Sequence, residues 1–169
     1  MLKVIESVIP SESLVMKYLK DGAFVDCYCL DIQKAVTLEC YIEAFYTTTV
    51  FKIERTLLSV ATFKFASDND AASLAEGSSD KYSIWSVERR DPNQVVLCEF
   101  TKSTRSWLMV ESSRADEGKT RLYFGSVVIP REVSETGEPT FSFVFHLLGY
   151  FHKLYSKALL GAAHRKLMR

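Results

Sequence analysis

The sequence predicts an α+β fold in which an antiparallel sheet packs on a long C-terminal helix, and three observations predict it. Strand-like segments recur at roughly ten-residue spacing after Asp80, the signature of a meander. A stretch from about Lys34 to Val60 lacks Gly and Pro and carries a helical apolar stripe. The chain then closes on its strongest helical pattern, from about Phe141 to Leu167, on the order of 40 Å if helical throughout.

Taken in order, Ser11 or Ser13 caps a short helix over Leu14, Val15, Met16, Tyr18 and Leu19, and Asp21-Gly22 stops it. Ala23 to Leu30 has the β-branched and aromatic content of a buried strand. Leu38, Tyr41, Ile42 and Phe45 recur at i, i+3, i+4 and i+7. The β-branched run Thr47-Thr48-Thr49-Val50 divides that helix from a second one carrying Ile53, Leu57 and Leu58. Ser67 to Asp70 caps a short helix over Ala71 to Ala75, closed by Gly77 to Asp80. The strands are read as Tyr82 to Arg89, Gln94 to Phe100, Ser106 to Glu111 and Thr120 to Ile129. Asp91-Pro92-Asn93, Lys102-Ser103-Thr104 and Asp116-Glu117-Gly118 turn between them. A polar stretch, Arg131 to Pro139, leads to Thr140 as the cap of the last helix. On that helix Val144, Leu148, Phe151, Tyr155, Ala158 and Ala162 form the expected apolar face, with His146, Gly149, Lys153, Lys157 and His164 opposite.

Length and composition agree with one domain spanning 1–169. The chain has 169 residues, 47% hydrophobic and 25% charged, inside the globular range. Its 21 basic and 21 acidic side chains balance, so it lacks the overall positive field that gathers nucleic acid. The opening MLKVIESVIPSES has only short apolar runs, broken by Glu6, Pro10 and Glu12, unlike the apolar stretch of a secretory signal, and no segment approaches the roughly 20 apolar residues of a membrane span. A cytoplasmic location is expected, and with it free thiols at Cys27, Cys29, Cys40 and Cys98. No cofactor, metal, nucleic-acid or membrane-spanning role is expected. The oligomeric state is left open.

The element order over about Ala23 to Leu167 resembles the START and Bet v 1-like, or helix-grip, superfamily, which includes polyketide cyclase-like members. The stretches Thr104 to Leu108, Arg121 to Ser126 and Leu148 to Ser156 also look like those of an uncharacterised bacterial family. The superfamily resemblance implies a curved sheet wrapped round the C-terminal helix with a ligand cavity between them. About five strands are counted here, fewer than the seven frequent in that superfamily, so a filled core stands as the alternative.

Trp85, Trp107, Tyr123, Tyr150 and Tyr155 would converge on the sheet–helix interior in that layout, either as plain core or as cavity lining. Arg89, Arg105 and Arg121 lie in or beside strands. They either pair with Glu88, Glu99 or Glu111 across strands, the preferred reading, or turn inward to anchor an anion, Arg105 being the one carried into the candidate site. Cys27 and Cys29 share a strand face about 7 Å apart, which fits buried core cysteines better than a metal site lacking further ligands. The three histidines do not stack at ligand spacing and are read as solvated, His152 toward one flank. The phosphate-loop, G-x-S-x-G and H-E-x-x-H signatures are missing, and no catalytic residue is identified. The expectation is a small-molecule-binding protein holding an apolar or aromatic ligand between sheet and helix through Trp85, Arg105, Trp107, Tyr123, Tyr150 and Tyr155. The alternatives are a cyclase-like or hydrolase-like enzyme in the same cavity and a protein-interaction domain with a filled core.

Overall fold

A computed structural model of the chain describes residues 4–53, 56, 63, 65–113, 118–130, 132–133, 139–140 and 143–169, with side chains described outside 131–151. The elements run β1 (Ile5–Glu6), α1 (Met16–Lys20), β2 (Phe24–Val25), β3 (Tyr28–Ile32), α2 (Leu38–Tyr46), α3 (Asp68–Glu76), β4 (Lys81–Tyr82) and β5 (Trp85–Asp91). They continue as β6 (Gln94–Glu99), β7 (Thr104–Ser112), β8 (Thr120–Val128), β9 (Glu132–Val133), β10 (Pro139–Thr140) and α4 (Phe143–Leu167). Eight strands make one antiparallel sheet in the order β1-β3-β8-β7-β6-β5-β4, with β2 also on β8, while β9 and β10 pair separately. The class is therefore α+β, and the sheet is larger than the five strands counted from sequence. The additional strands are two-residue pieces, too short to show an alternating pattern. No helix among the described residues is long and apolar enough to cross a membrane.

Local chemistry accounts for the breaks. Thr37 accepts a hydrogen bond from Cys40 N at the start of α2. Thr47 closes α2, and Thr48 caps the helical backbone that resumes at 49–53, accepting from Phe51 N at 3.1 Å. Leu57 and Leu58 lie outside the described residues. Ser67 and Asp70 form a capping box on α3, and Gly77 closes it in the left-handed conformation. Arg90 of β5 donates to the carbonyls of Leu74 and Ala75 at its C-terminal end. At α1 the expected serine cap is replaced by Val15, which makes no side-chain cap bond.

Both faces of the sheet are covered. On one face α2, α3 and α4 bury a core that includes Tyr28, Leu30, Ile32, Leu97, Leu108, Leu122 and Phe124. On the other, the segment 9–23 crosses the strands as a strap and encloses Leu14, Val15, Tyr18, Cys27, Cys29, Val96, Trp107, Met109 and Tyr123. Gln94 ties the strap down: Oε1 accepts from Leu14 N at 2.9 Å and from Trp107 Nε1 at 3.1 Å, and Nε2 donates to Glu12 O at 3.1 Å. Close packing also requires Gly125, where a Cβ would lie 2.5 Å from Asp26 O and 2.9 Å from Trp107 Cε3.

Candidate functional site

The most unusual point of the helix-covered face lies where β2 passes into β3. Phe24 and Val25 pair with Val128 and Val127, and pairing resumes at Tyr28 with Phe124, so Asp26 and Cys27 fall opposite Ser126 and Gly125 without a slip in register. Asp26 N donates to Ser126 O at 3.1 Å. The return bond goes to a side chain: Ser126 N donates to Asp26 Oδ1 at 2.7 Å. A carboxylate has taken the place of a ladder carbonyl. It is only 9% exposed.

Side-chain alternation fixes which way these residues face. Asp26 lies two residues before Tyr28, Ser126 two after Phe124, and Ser106 two before Leu108, and those three apolar residues belong to the helix-side core. Ser106 and Ser126 are direct cross-strand partners. Asp26, Ser126 and Ser106 therefore form a buried polar row across three strands, each at most 9% exposed. Glu99, two residues beyond Leu97, continues the polar character, although its carboxylate already accepts from Thr101 and Ser103.

α4 answers this row. Its buried stripe runs Leu167, Ala163, Leu160 and Leu159, then turns polar at the fully buried Ser156 and continues to His152. His152 Nε2 lies 3.1 Å from Asp26 Oδ2. Both atoms are buried, and the approach lacks the alignment of a hydrogen bond, so neither has a well-formed partner. Ser156 Oγ has none either. The rest of the imidazole is open, the side chain being 36% exposed. Around the pair, Lys153 binds Glu6, and Lys157 Nζ sits 6.0 Å from the Tyr28 ring centre. The hydrogen bond from Lys153 and then its charge hold the Glu6 carboxyl below its ordinary value. Burial, followed by the Asp26 and Glu6 charges, raises the Tyr28 phenol. Burial, with Cys29 and Asp26, pushes the Cys27 thiol up to about 12, which makes it a poor nucleophile. Among the described residues no three His, Cys, Asp or Glu side chains are grouped to hold a metal.

The residues expected to converge are divided between the two faces. Trp85 and Tyr155 pack at the rim of the helix-side core, and Trp85 Nε1 is buried without a hydrogen-bond partner. Trp107 and Tyr123 stand on the strap side, ring centres 6.0 Å apart, and the Tyr123 hydroxyl donates to Glu111 at 2.7 Å. Arg105 is on that side too, bonded to Glu88 at 3.0 Å and lying over the Tyr18 ring. Tyr150 falls on α4, and its side chain and that of His146 lie outside the described residues. Arg121 forks onto Asp31 at 2.6 and 2.9 Å and Arg89 is exposed, so none of the three arginines turns into the helix-side interior.

Over its C-terminal half the face expected on α4 is corrected: Ala158 is exposed and Ala162 and Tyr155 are half-buried, so the buried stripe there is turned by about one residue step, 100°, while the side chains of Val144, Leu148 and Phe151 lie outside the described residues. That rotation carries His152 from the flank to the buried side. The sequence signal for the polar row was present in Asp26, Ser106 and Ser126, polar residues at inward positions of otherwise apolar strands. No protein-family model matches the chain, and no curated protein or solved structure matches it.

Proposed function

We propose that the protein binds a small molecule with an apolar or aromatic body between the sheet and α4, in the manner of a helix-grip domain. The observation that carries this reading is the buried polar patch of Asp26, His152 and Ser156. A folded protein seldom buries polar atoms without partners, and such atoms are commonly completed by water or by a ligand. The flanking Tyr28 and Phe124 rings supply an apolar surface beside the polar atoms. Of the residues expected at the site, Trp85 and Tyr155 belong to this reading by position, and Tyr150 by its place on α4. Trp107, Tyr123 and Arg105 serve the strap face.

Native mass spectrometry of the purified chain, followed by denaturation and identification of released molecules, tests this. The expected result is a reproducible adduct that is lost on Ser106→Phe, a substitution that sets a bulky ring within the row, with the circular dichroism spectrum retained. A clean apo mass, together with no thermal stabilisation by a broad panel of apolar metabolites, would overturn it and favour an interaction domain. One observation favours that second reading: at the α2 end the same face is filled by packed rings, tilted against one another, with the Phe45 ring centre 4.9 Å from that of Phe124 and Tyr46 5.1 Å from Tyr82.

A further inference from the structure

We propose that the strap, residues 9–23, is a lid that opens as a unit from the sheet face holding Trp107, with the Glu88 carboxylate as its latch. This lid covers the face opposite α4, and its opening does not depend on what binds between α4 and the sheet. The position of Glu88 is the first ground. On β5, Val87 lies opposite Leu97 and Arg89 opposite Val96, so Glu88 is the extra residue of a bulge. A bulge interrupts the ladder and re-aims a side chain. Here one carboxylate gathers the strap: Oε1 accepts from Lys17 Nζ at 3.2 Å and from the Tyr18 hydroxyl, and Oε2 accepts from Arg105 Nε on β7 at 3.0 Å. Lys17 and Arg105 also lie over the Tyr18 ring, 4.5 and 5.2 Å from its centre. The Glu88 side chain is 26% exposed, so water reaches this anchor, whereas Gln94, which holds Leu14, is only 3% exposed.

The construction of the strap is the second ground. The chain is fixed on the sheet just before it, where β1 pairs with β3 and Ser7 N donates to Cys27 O at 2.9 Å. It is fixed again just after, where Phe24 and Val25 pair with β8. Between these points Val8 is 87% exposed, and Gly22 takes a left-handed φ of +80° with nothing within 4 Å of where a Cβ would lie, so both ends have room to turn. The five residues of α1 are too few to hold a helix away from the sheet. Of the strap's apolar side chains, Leu14, Val15, Tyr18 and Ala23 are buried, and beside them Ser13 Oγ is buried without a partner. Opening returns that hydroxyl to water and releases the ordering of the segment, which sets its cost below that of unfolding the sheet and helices. It uncovers Val96, Trp107, Met109 and Tyr123 with the thiols of Cys27 and Cys29.

Thiol labelling of the full chain under native conditions at neutral pH tests this, with iodoacetamide as the probe and peptide mapping by mass spectrometry to separate the sites. Cys40 is exposed and serves as the reagent control, while Cys27 and Cys29 are 2% and 1% exposed. With the strap closed, burial and the neighbouring Cys29 and Asp26 push the Cys27 thiol up to about 12, so labelling there reports opened molecules. Glu88→Gln and Tyr18→Phe should each raise the labelling rate of both thiols by about threefold to tenfold, as the loss of one hydrogen bond to a charged group would. Ile42→Val, which loosens the core under α2, should speed hydrogen exchange of the α2 amides and leave both thiols labelling at the original rate, because the opened molecule keeps that core. Labelling that rises with Ile42→Val as much as α2 exchange does would show that the thiols are uncovered only when the whole chain unfolds, and would overturn the lid. Labelling that responds to none of the three substitutions would overturn Glu88 as the latch. Thiols that stay unlabelled in every variant would overturn both.

Discussion

The two ends of the α4–sheet interface are built from opposite materials. At the C-terminal end, Leu159, Leu160, Ala163 and Leu167 pack with α2, whose Phe45 touches the rings of Tyr41, Tyr46, Phe51 and Phe124 at centre distances from 4.9 to 6.1 Å. One helical turn toward the N-terminus, the same stripe buries Ser156 and brings His152 to Asp26 on the sheet. The first end gains stability from buried apolar area and ring packing. The second buries polar groups that face no complete set of partners, an arrangement that costs stability unless something else completes it. The fold is held chiefly at the apolar end.

The largest expected effect breaks the apolar end. Phe45→Ala removes a ring that is 1% exposed and should lower the unfolding free energy by roughly 3–5 kcal/mol in urea denaturation. A loss under about 1 kcal/mol would mean that this end is loosely packed and that the contrast is wrong. Next comes Asp26→Ala, which leaves Ser126 N without its acceptor and should cost roughly 1–3 kcal/mol. Asp26→Asn keeps an oxygen for that bond and should cost less, so equal losses would show that charge facing His152, and not the ladder repair, sets the cost.

Much of the fold was legible in the sequence, and the failures have physical causes. The four long strands and the break after Tyr46 follow from alternation and from a β-branched run, local signals that tertiary packing did not override. Two-residue strands such as β1 and β4 carry no period, and the strap reads as an ordinary short helix until Gln94 is seen to bind Leu14 and Trp107 across the sheet. The site was lost through the phase of α4. Tyr155, Ala158 and Ala162 are apolar enough to mimic a buried face, and Ser156 and His152 are polar enough to look solvated. A helix whose stripe changes from leucine to serine and histidine along its length cannot be phased by hydropathy alone. Trp107 and Tyr123 were misplaced because aromatic content does not say which face of a doubly covered sheet a residue serves.

A smaller effect uses pH at the apolar end. Burial, and then Arg165, hold the His164 imidazole below its ordinary value of 6.5, and Nδ1 is buried without a partner. In that window the unfolded chain binds more protons than the folded one, so stability rises with pH there. The contribution is present above the unfolded value and is lost as pH falls through the folded one. Urea midpoints measured between about pH 5 and 8 should therefore fall on the acid side, and His164→Gln should flatten part of that slope. An unchanged slope would place His164 in solvent.

The smallest effect is the most discriminating. Ser156 and Leu160 are successive members of one stripe and both are completely buried. Leu160→Ala should cost roughly 2–5 kcal/mol, since it opens a cavity among packed neighbours. Ser156→Ala removes a hydroxyl that has no hydrogen-bond partner, so urea denaturation of the unliganded protein should find a change within about 0.5 kcal/mol, or a slight gain. A loss above about 1 kcal/mol would give the hydroxyl a stabilising bond within the fold. The polar end would then be a second kind of core, complete in itself, and not a surface prepared for a ligand. A neutral result leaves a buried hydroxyl that the fold does not need, one helical turn from a histidine and a carboxylate that the fold has aimed at each other.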